Sequence, residues 1–244
     1  GSNTGHVRIY SWDGSAWSQV GNDIDGESIY DYSGYSVSMD SDGSHVAIGA
    51  PYNNAGANDS GHVRIYSWDG SAWSQVGLDI EGEAANDQSG YSVSIDSDGS
   101  LVAIGAYAND GNGTSSGHVR VYEYSSGSWS QVGSDFDGEA ALDYSGSFVS
   151  IDSDGSHVAI GAPYNDGGGS NAGHTRVLAP YGFAAYSPNN TLTSNSLTTS
   201  GATTAGSLTV DSVVIDGTSI GHSSDSDLMT LASGSLTVAG DVTI

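Results

Sequence analysis

The chain repeats itself every 56 residues. "GHVRIY" begins at residues 5 and 61, "GHVRVY" at 117 and "GHTRVL" at 173, and residues 5–21 and 61–77 are identical. A period this long, held without slippage, describes an array of one supersecondary unit. Each unit is too small to bury its apolar face alone, so the copies must stack.

Within a copy, short alternating runs are broken by Gly, Asn and Asp, and no window has helical spacing of apolar residues. The expected fold class is all-β. In the second copy four runs read as strands: 61–68, 72–80, 90–96 and 100–106. Asp69-Gly70 and Asp98-Gly99 mark the hairpin tips. Four short antiparallel strands per unit make the blade of a β-propeller. Residues 1–178 therefore read as a propeller-type array, with copies at 5–60, 61–116 and 117–172 and the start of a fourth at 173.

"DYSGYSVSMDSDGSHVAIGAP" (31–51) and "GYSVSIDSDGSLVAIGA" (90–106) resemble FG-GAP repeats, the blades of the integrin α-subunit propeller and of many bacterial and viral surface proteins. Tyr32 with Gly34, and Tyr144 with Gly146, supply the aromatic-Gly start. Gly49-Ala50-Pro51 and Gly161-Ala162-Pro163 supply the end, and Tyr107 stands where the middle copy would have proline. The resemblance covers roughly 5–178. It implies complete blades at about 34–80 and 90–136, the outer half of one at 5–24, and a last one at 146–178 without a fourth strand. A closed propeller takes at least about four blades, so the array is expected to be part of a longer propeller or an open stack.

Each copy carries an acidic turn: Asp40 and Asp42, Asp96 and Asp98, Asp152 and Asp154. Calcium-binding members of the family use a longer loop with a further acidic ligand. Here the position for that ligand is Ile48 in the first turn. Ca²⁺ takes six to eight oxygens. The turn therefore reads first as a two-residue hairpin tip, and second as a weak calcium site through those six aspartates. A second acidic cluster recurs at 23–34, 79–90 and 135–146, with Asp25, Glu27 and Asp31 as its first instance. It reads as a solvated connection with a salt bridge, or alternatively as a metal site.

The formal charge is −25, with no lysine and no cysteine. Such a chain repels nucleic acid and anionic membrane and suits a saline medium. All four basic residues, Arg8, Arg64, Arg120 and Arg176, hold one repeat position and should each pair with a carboxylate of the acidic connection. His6, His62, His118 and His174 lie two residues earlier on the same strand face and read as structural or surface groups. Trp12, Trp17, Trp68, Trp73 and Trp129 read as packing between blades, with a sugar-holding platform as the alternative. The loops at 51–60, 107–116 and 163–172 differ between copies, as recognition loops on a constant scaffold do. No catalytic constellation and no organic cofactor are indicated, and the chain is read as not an enzyme.

Composition shifts at 179–186, a linker. Residues 187–244 are Thr, Ser, Gly and Val in short runs, with "SLTV" at 207 and 235. This segment resembles the fibrous shafts of phage tail fibres and trimeric adhesins. The resemblance implies a homo-oligomer wound through 187–244. Together these readings point to an extracellular, cell-surface or virion-surface adhesion protein whose partner is a glycan or protein receptor. A purely structural filament and an accessory domain of a secreted carbohydrate-active enzyme are the alternatives.

Overall fold

The computed structural model describes residues 3–179. The linker from residue 180 and the expected shaft at 187–244 lie outside the described residues. All regular structure among the described residues is β, and none of them is helical. The strands are β1 (His6–Val7), β2 (Tyr10–Trp12), β3 (Trp17–Gln19), β4 (Ile24–Asp25), β5 (Ser36–Met39), β6 (His45–Ala50), β7 (His62–Trp68), β8 (Trp73–Gln75), β9 (Ile80–Glu81), β10 (Ser92–Ile95), β11 (Leu101–Ala106), β12 (His118–Ser125), β13 (Ser128–Gln131), β14 (Phe136–Asp137), β15 (Phe148–Ile151), β16 (Val158–Ala162) and β17 (His174–Leu178).

They form five small antiparallel sheets. In the first full unit β5, β6, β7 and β8 run as a meander, and β9 returns to pair with the start of β7. β10 to β14 repeat this order strand for strand, and β15, β16 and β17 repeat its first three strands. Two separate pairs, β1 with β4 and β2 with β3, precede them. Register is the same in every copy: Ile48 opposes Arg64, Ile104 opposes Arg120 and Ile160 opposes Arg176. Each sheet is an open path of strands, and no ring closes among the described residues.

The core lies between consecutive sheets. Along β11, Val102 and Ile104 pack toward the preceding sheet with Val63, Ile65 and Ile80. Leu101 and Ala103 pack toward the following one with Ile151, Val158 and Ile160. A strand buried on both faces needs a continuous apolar run, which is why "LVAIGA" shows no alternation.

Close stacking depends on small residues. Ser36 and Ser92 donate hydroxyl hydrogen bonds to the Gly90 and Gly146 carbonyl oxygens of the next unit, at 2.7 and 2.8 Å. A Cβ at Gly49 or Gly105 would collide with those same carbonyls. The Gly of the Gly-Ala strand end is thus fixed by the neighbouring copy, and the Ser-rich strand by the hydrogen bond it makes across the seam.

The acidic turns do sit at hairpin tips, but the loops hold four residues rather than two. Trp68 pairs with Trp73 across Asp69–Ala72, and Asp96 and Leu101 close the other tip around 97–100. Asp69 Oδ1 accepts the Ser71 and Ala72 N–H groups at 2.7 and 2.8 Å. A side-chain acceptor inside the tip thus holds the wider loop. In the third copy Ser125 replaces that aspartate. There the tip tightens to Ser126-Gly127, both at positive φ, with Ser125 opposite Ser128.

Candidate functional site

Arginine joins each copy to the one before it. The Arg64 guanidinium donates to the Asp25 carbonyl oxygen at 2.9 Å and lies 3.4 Å from a Glu27 carboxylate oxygen. Arg120 repeats this on the Glu81 carbonyl and Glu83, at 2.8 and 3.5 Å. Arg176 donates to the Asp137 carbonyl at 2.6 Å and to Ser145 Oγ at 3.3 Å, and no carboxylate among the described residues lies within ion-pair distance. Arg8 pairs at 2.9 Å with Asp23 of its own copy, at the surface. The expected carboxylate contact is therefore present for three of the four arginines. The stronger anchor is a main-chain carbonyl, which no sequence pattern marks. Arg64 and Arg120 are each 4% exposed and lie 5.5 and 5.4 Å from the Tyr66 and Tyr122 ring centroids.

The histidines share this seam. His62 and His118 are fully buried, and neither Nδ1 has a hydrogen-bond partner. Burial first, and Arg120 next, push the His118 imidazole down to about 4, so it is neutral. Glu27, His62 and Asp79 can bring their ligand atoms within 4.8 Å of one another, as can Glu83, His118 and Asp135. These are the two such groups of three among the described residues.

The acidic connection is not simply solvated. Asp31, Asp87 and Asp143 are buried. They accept from the Asn53, Asn109 and Asn165 side-chain amides at 2.8, 3.0 and 2.7 Å. Each amide belongs to the loop after the Gly-Ala strand, so this aspartate ties that variable loop to the connection preceding it.

At the Asp-Ser-Asp-Gly turns, Asp40, Asp96 and Asp152 act as acceptors. Asp96 takes the Leu101 N–H and the Ser100 hydroxyl at 3.0 and 3.1 Å. Asp42, Asp98 and Asp154 each accept one N–H, from Ser44, Ser100 and Ser156. One substitution separates the copies electrostatically. Beside Leu101, burial pushes the Asp96 carboxyl up to about 6. Beside His45 and His157, whose rings lie 2.8 and 2.9 Å from Asp40 and Asp152, burial is outweighed by the histidine N–H groups and a serine hydroxyl. Both carboxyls then lie below the ordinary range.

Aromatic side chains divide into two sets. The tryptophans mostly pack between copies: Trp73 Nε1 donates to the Val20 carbonyl and Trp129 Nε1 to the Val76 carbonyl, at 2.9 and 2.8 Å. Trp12 and Trp17 are exposed. A second set forms a continuous row of rings, Tyr35, Tyr91, Tyr107, Tyr144 and Tyr164. Successive centroids lie 4.9, 4.2, 5.5 and 5.2 Å apart. Tyr32 and Tyr52 form a further pair at 5.3 Å. Tyr35 and Tyr164 are about half exposed, at 48% and 51%. The Tyr35 phenol is pushed up to about 12, by the Tyr91 hydroxyl beside it and then by burial.

Residues 81–122 match the FG-GAP repeat model. A comparison with curated proteins found no match. Among solved structures, a Bacteroides uniformis protein provisionally assigned as a 6-phosphogluconolactonase aligns at 11% identity and TM-score 0.46, covering 65% of this chain and 41% of that one. The periplasmic gluconolactonase of Pseudomonas aeruginosa aligns at 16% identity and TM-score 0.43, covering 65% and 44%. The chain thus spans well under half the length of either, and at this distance neither bears on its activity.

The FG-GAP repeat at 81–122 contains Tyr91 and Tyr107, the centre of the tyrosine row. Tyr107 stands in the proline position of the repeat's Gly-Ala-Pro end. That departure makes the row continuous, because the Tyr107 ring bridges Tyr91 of its own copy and Tyr144 of the next connection. Sequence reasoning weighed tryptophans for a platform and passed over the tyrosines. Their available signal was a recurrent Tyr just before the Ser-rich strand and just after the Gly-Ala strand, two places the meander puts at one end of the sheet.

Proposed function

We propose that this chain is a non-catalytic surface recognition protein. In this reading its FG-GAP units stack as propeller-type blades and present the tyrosine row, flanked by the variable loops, to a cell-surface glycan. The tyrosine row carries the reading. Stacked, partly exposed phenol rings offer flat apolar faces and polar rims together. That surface matches a sugar, whose C–H face stacks on the ring and whose hydroxyls meet the phenols and the loop amides. A chain of charge −25 favours neutral glycans over anionic ones. Tyr107 and Tyr164 lie within the variable loops, so loop variation would tune what the row accepts.

The segment 187–244 is proposed as an attaching, oligomerising shaft, and an extracellular or virion-surface location fits both parts. A compact, cooperatively folding monomer from 187–244 in sedimentation would remove the shaft from the account. Calcium at the Asp-Ser-Asp-Gly turns is proposed as weak binding only, since each turn offers two carboxylates already engaged as acceptors. Glycan-array screening of the full chain tests the main reading. Binding to neutral glycans that falls at least tenfold in Tyr91→Ala supports it. An array silent for the chain, or hits unaffected by that change, favours the purely structural filament.

A further inference from the structure

We propose that each seam between consecutive copies holds one transition-type divalent cation, of which zinc is the best match, on Glu27, His62 and Asp79 and again on Glu83, His118 and Asp135. The histidine supplies the decisive observation. His62 and His118 are each 1% exposed and their Nδ1 atoms face carboxylates, yet neither Nδ1 has a hydrogen-bond partner. The nearest carboxylate oxygens stop short of hydrogen-bond distance. Asp79 lies 3.5 Å from His62, and Asp135 and Glu83 lie 3.6 and 3.7 Å from His118. Two ligands of one tetrahedral ion, at metal distances of about 2.1 Å, sit about 3.4 Å apart. The spacing is too long for hydrogen bonds and close to that of ligands around a shared ion.

Repetition supports the reading. Glu83, His118 and Asp135 are Glu27, His62 and Asp79 displaced by one 56-residue period. In the last copy the residue one period beyond Asp135 is Thr191. There the pair contracts, with His174 Nδ1 3.1 Å from Glu139, an ordinary hydrogen bond. Where the second carboxylate is present, the gap stays open. One imidazole and two carboxylates suit zinc and its neighbours better than calcium, which prefers six or more oxygens. The second Glu27 and Glu83 oxygens stay with Arg64 and Arg120, at 3.4 and 3.5 Å. The arginine thereby orients the ligand from outside, as second-layer partners of metal ligands do. Each ion would bridge two copies, with Glu27 and Asp79, and likewise Glu83 and Asp135, coming from successive connections.

The test is calorimetric titration of the chelator-stripped full chain with Zn²⁺, with the Co²⁺ spectrum as a report on geometry. Asp79→Asn and Asp135→Asn are the variants, since both side chains are about a quarter exposed and their loss leaves no buried charge. Glu27→Gln and Glu83→Gln form a second set. The wild type should bind two more equivalents of Zn²⁺ than the double Asp variant, each single variant should lose one, and Co²⁺ should show a tetrahedral spectrum. Excess Ca²⁺ should leave these numbers unchanged. Equal stoichiometry in wild type and double variant, in either set, would overturn the proposal. So would displacement of Zn²⁺ by equimolar Ca²⁺.

Discussion

The Arg120 guanidinium donates to the main-chain carbonyl oxygen of Glu81, 39 residues earlier, at 2.8 Å. Arg64 does the same to Asp25, and Arg176 to Asp137, at the same separation. From the second copy onward the one arginine position of the repeat is therefore an intercopy clamp aimed at backbone, assisted by a carboxylate at Arg64 and Arg120.

Removing a buried clamp should cost far more than removing an exposed one. Arg120→Ala leaves the Glu81 carbonyl unpaired in a buried seam and empties the space over Tyr122. We expect a loss of about 2–3 kcal/mol, since Glu83 is exposed enough to regain water. Arg8→Ala breaks an exposed, solvent-screened surface pair and should cost far less. Urea unfolding of the two variants checks the ordering.

Asp40 and Asp96 occupy the same position in successive copies and should respond to pH with opposite slopes. The Asp96 carboxyl is raised to about 6, so the folded chain holds a proton there that the unfolded chain has released. Its contribution is present at low pH and is lost as pH rises from the ordinary carboxylate value to about 6. Asp96→Asn stays neutral throughout and should gain stability relative to the wild type between pH 4 and 7. The Asp40 carboxyl is lowered, so its contribution is present above the ordinary value and is lost as pH falls. Asp40→Asn should therefore be most costly at pH 7 and less so near pH 4. Chemical unfolding at a series of pH values reads both, and parallel slopes would remove Leu101 and His45 as the cause.

Gly105 and Gly161 provide a second matched pair. A Cβ at Gly105 would strike the Gly146 carbonyl of the next copy, whereas at Gly161 its nearest neighbours among the described residues are Phe148 atoms at 3.4 Å and beyond, ordinary contact. Gly105→Ala should destabilise by about 1–3 kcal/mol or more, as overpacking does. Gly161→Ala should stay within about 1 kcal/mol of the wild type. Thermal unfolding of both measures how tightly the backbones approach.

The unit and its strands were legible because each strand carries its own local signal. Gly-bounded runs, Asp-Gly tips and the unalternating "LVAIGA" locate β7, β10 and β11 to within a residue or two, whereas the single strand expected at 72–80 is two, β8 and β9, each paired with a different part of β7. What one copy does to the next was not legible. Ser36, Gly105 and the Asp25 carbonyl matter through a neighbour 54, 41 or 39 positions away, and local pattern carries no such distance. Loop width at the tips was missed because the Asp69 carboxylate itself props the turn open. The tyrosine row was missed because it draws on four different repeat positions, which align only once the meander brings the two strand ends together.

Ring-selective NMR of the tyrosines during titration with an array-positive glycan tests the recognition reading most directly. The account predicts that the Tyr35, Tyr91, Tyr107 and Tyr144 ring signals shift together and saturate at one ligand concentration, while the indole signals of Trp12 and Trp17 stay in place. Shifts confined to Trp12 and Trp17, with the tyrosine row silent at saturation, would contradict it.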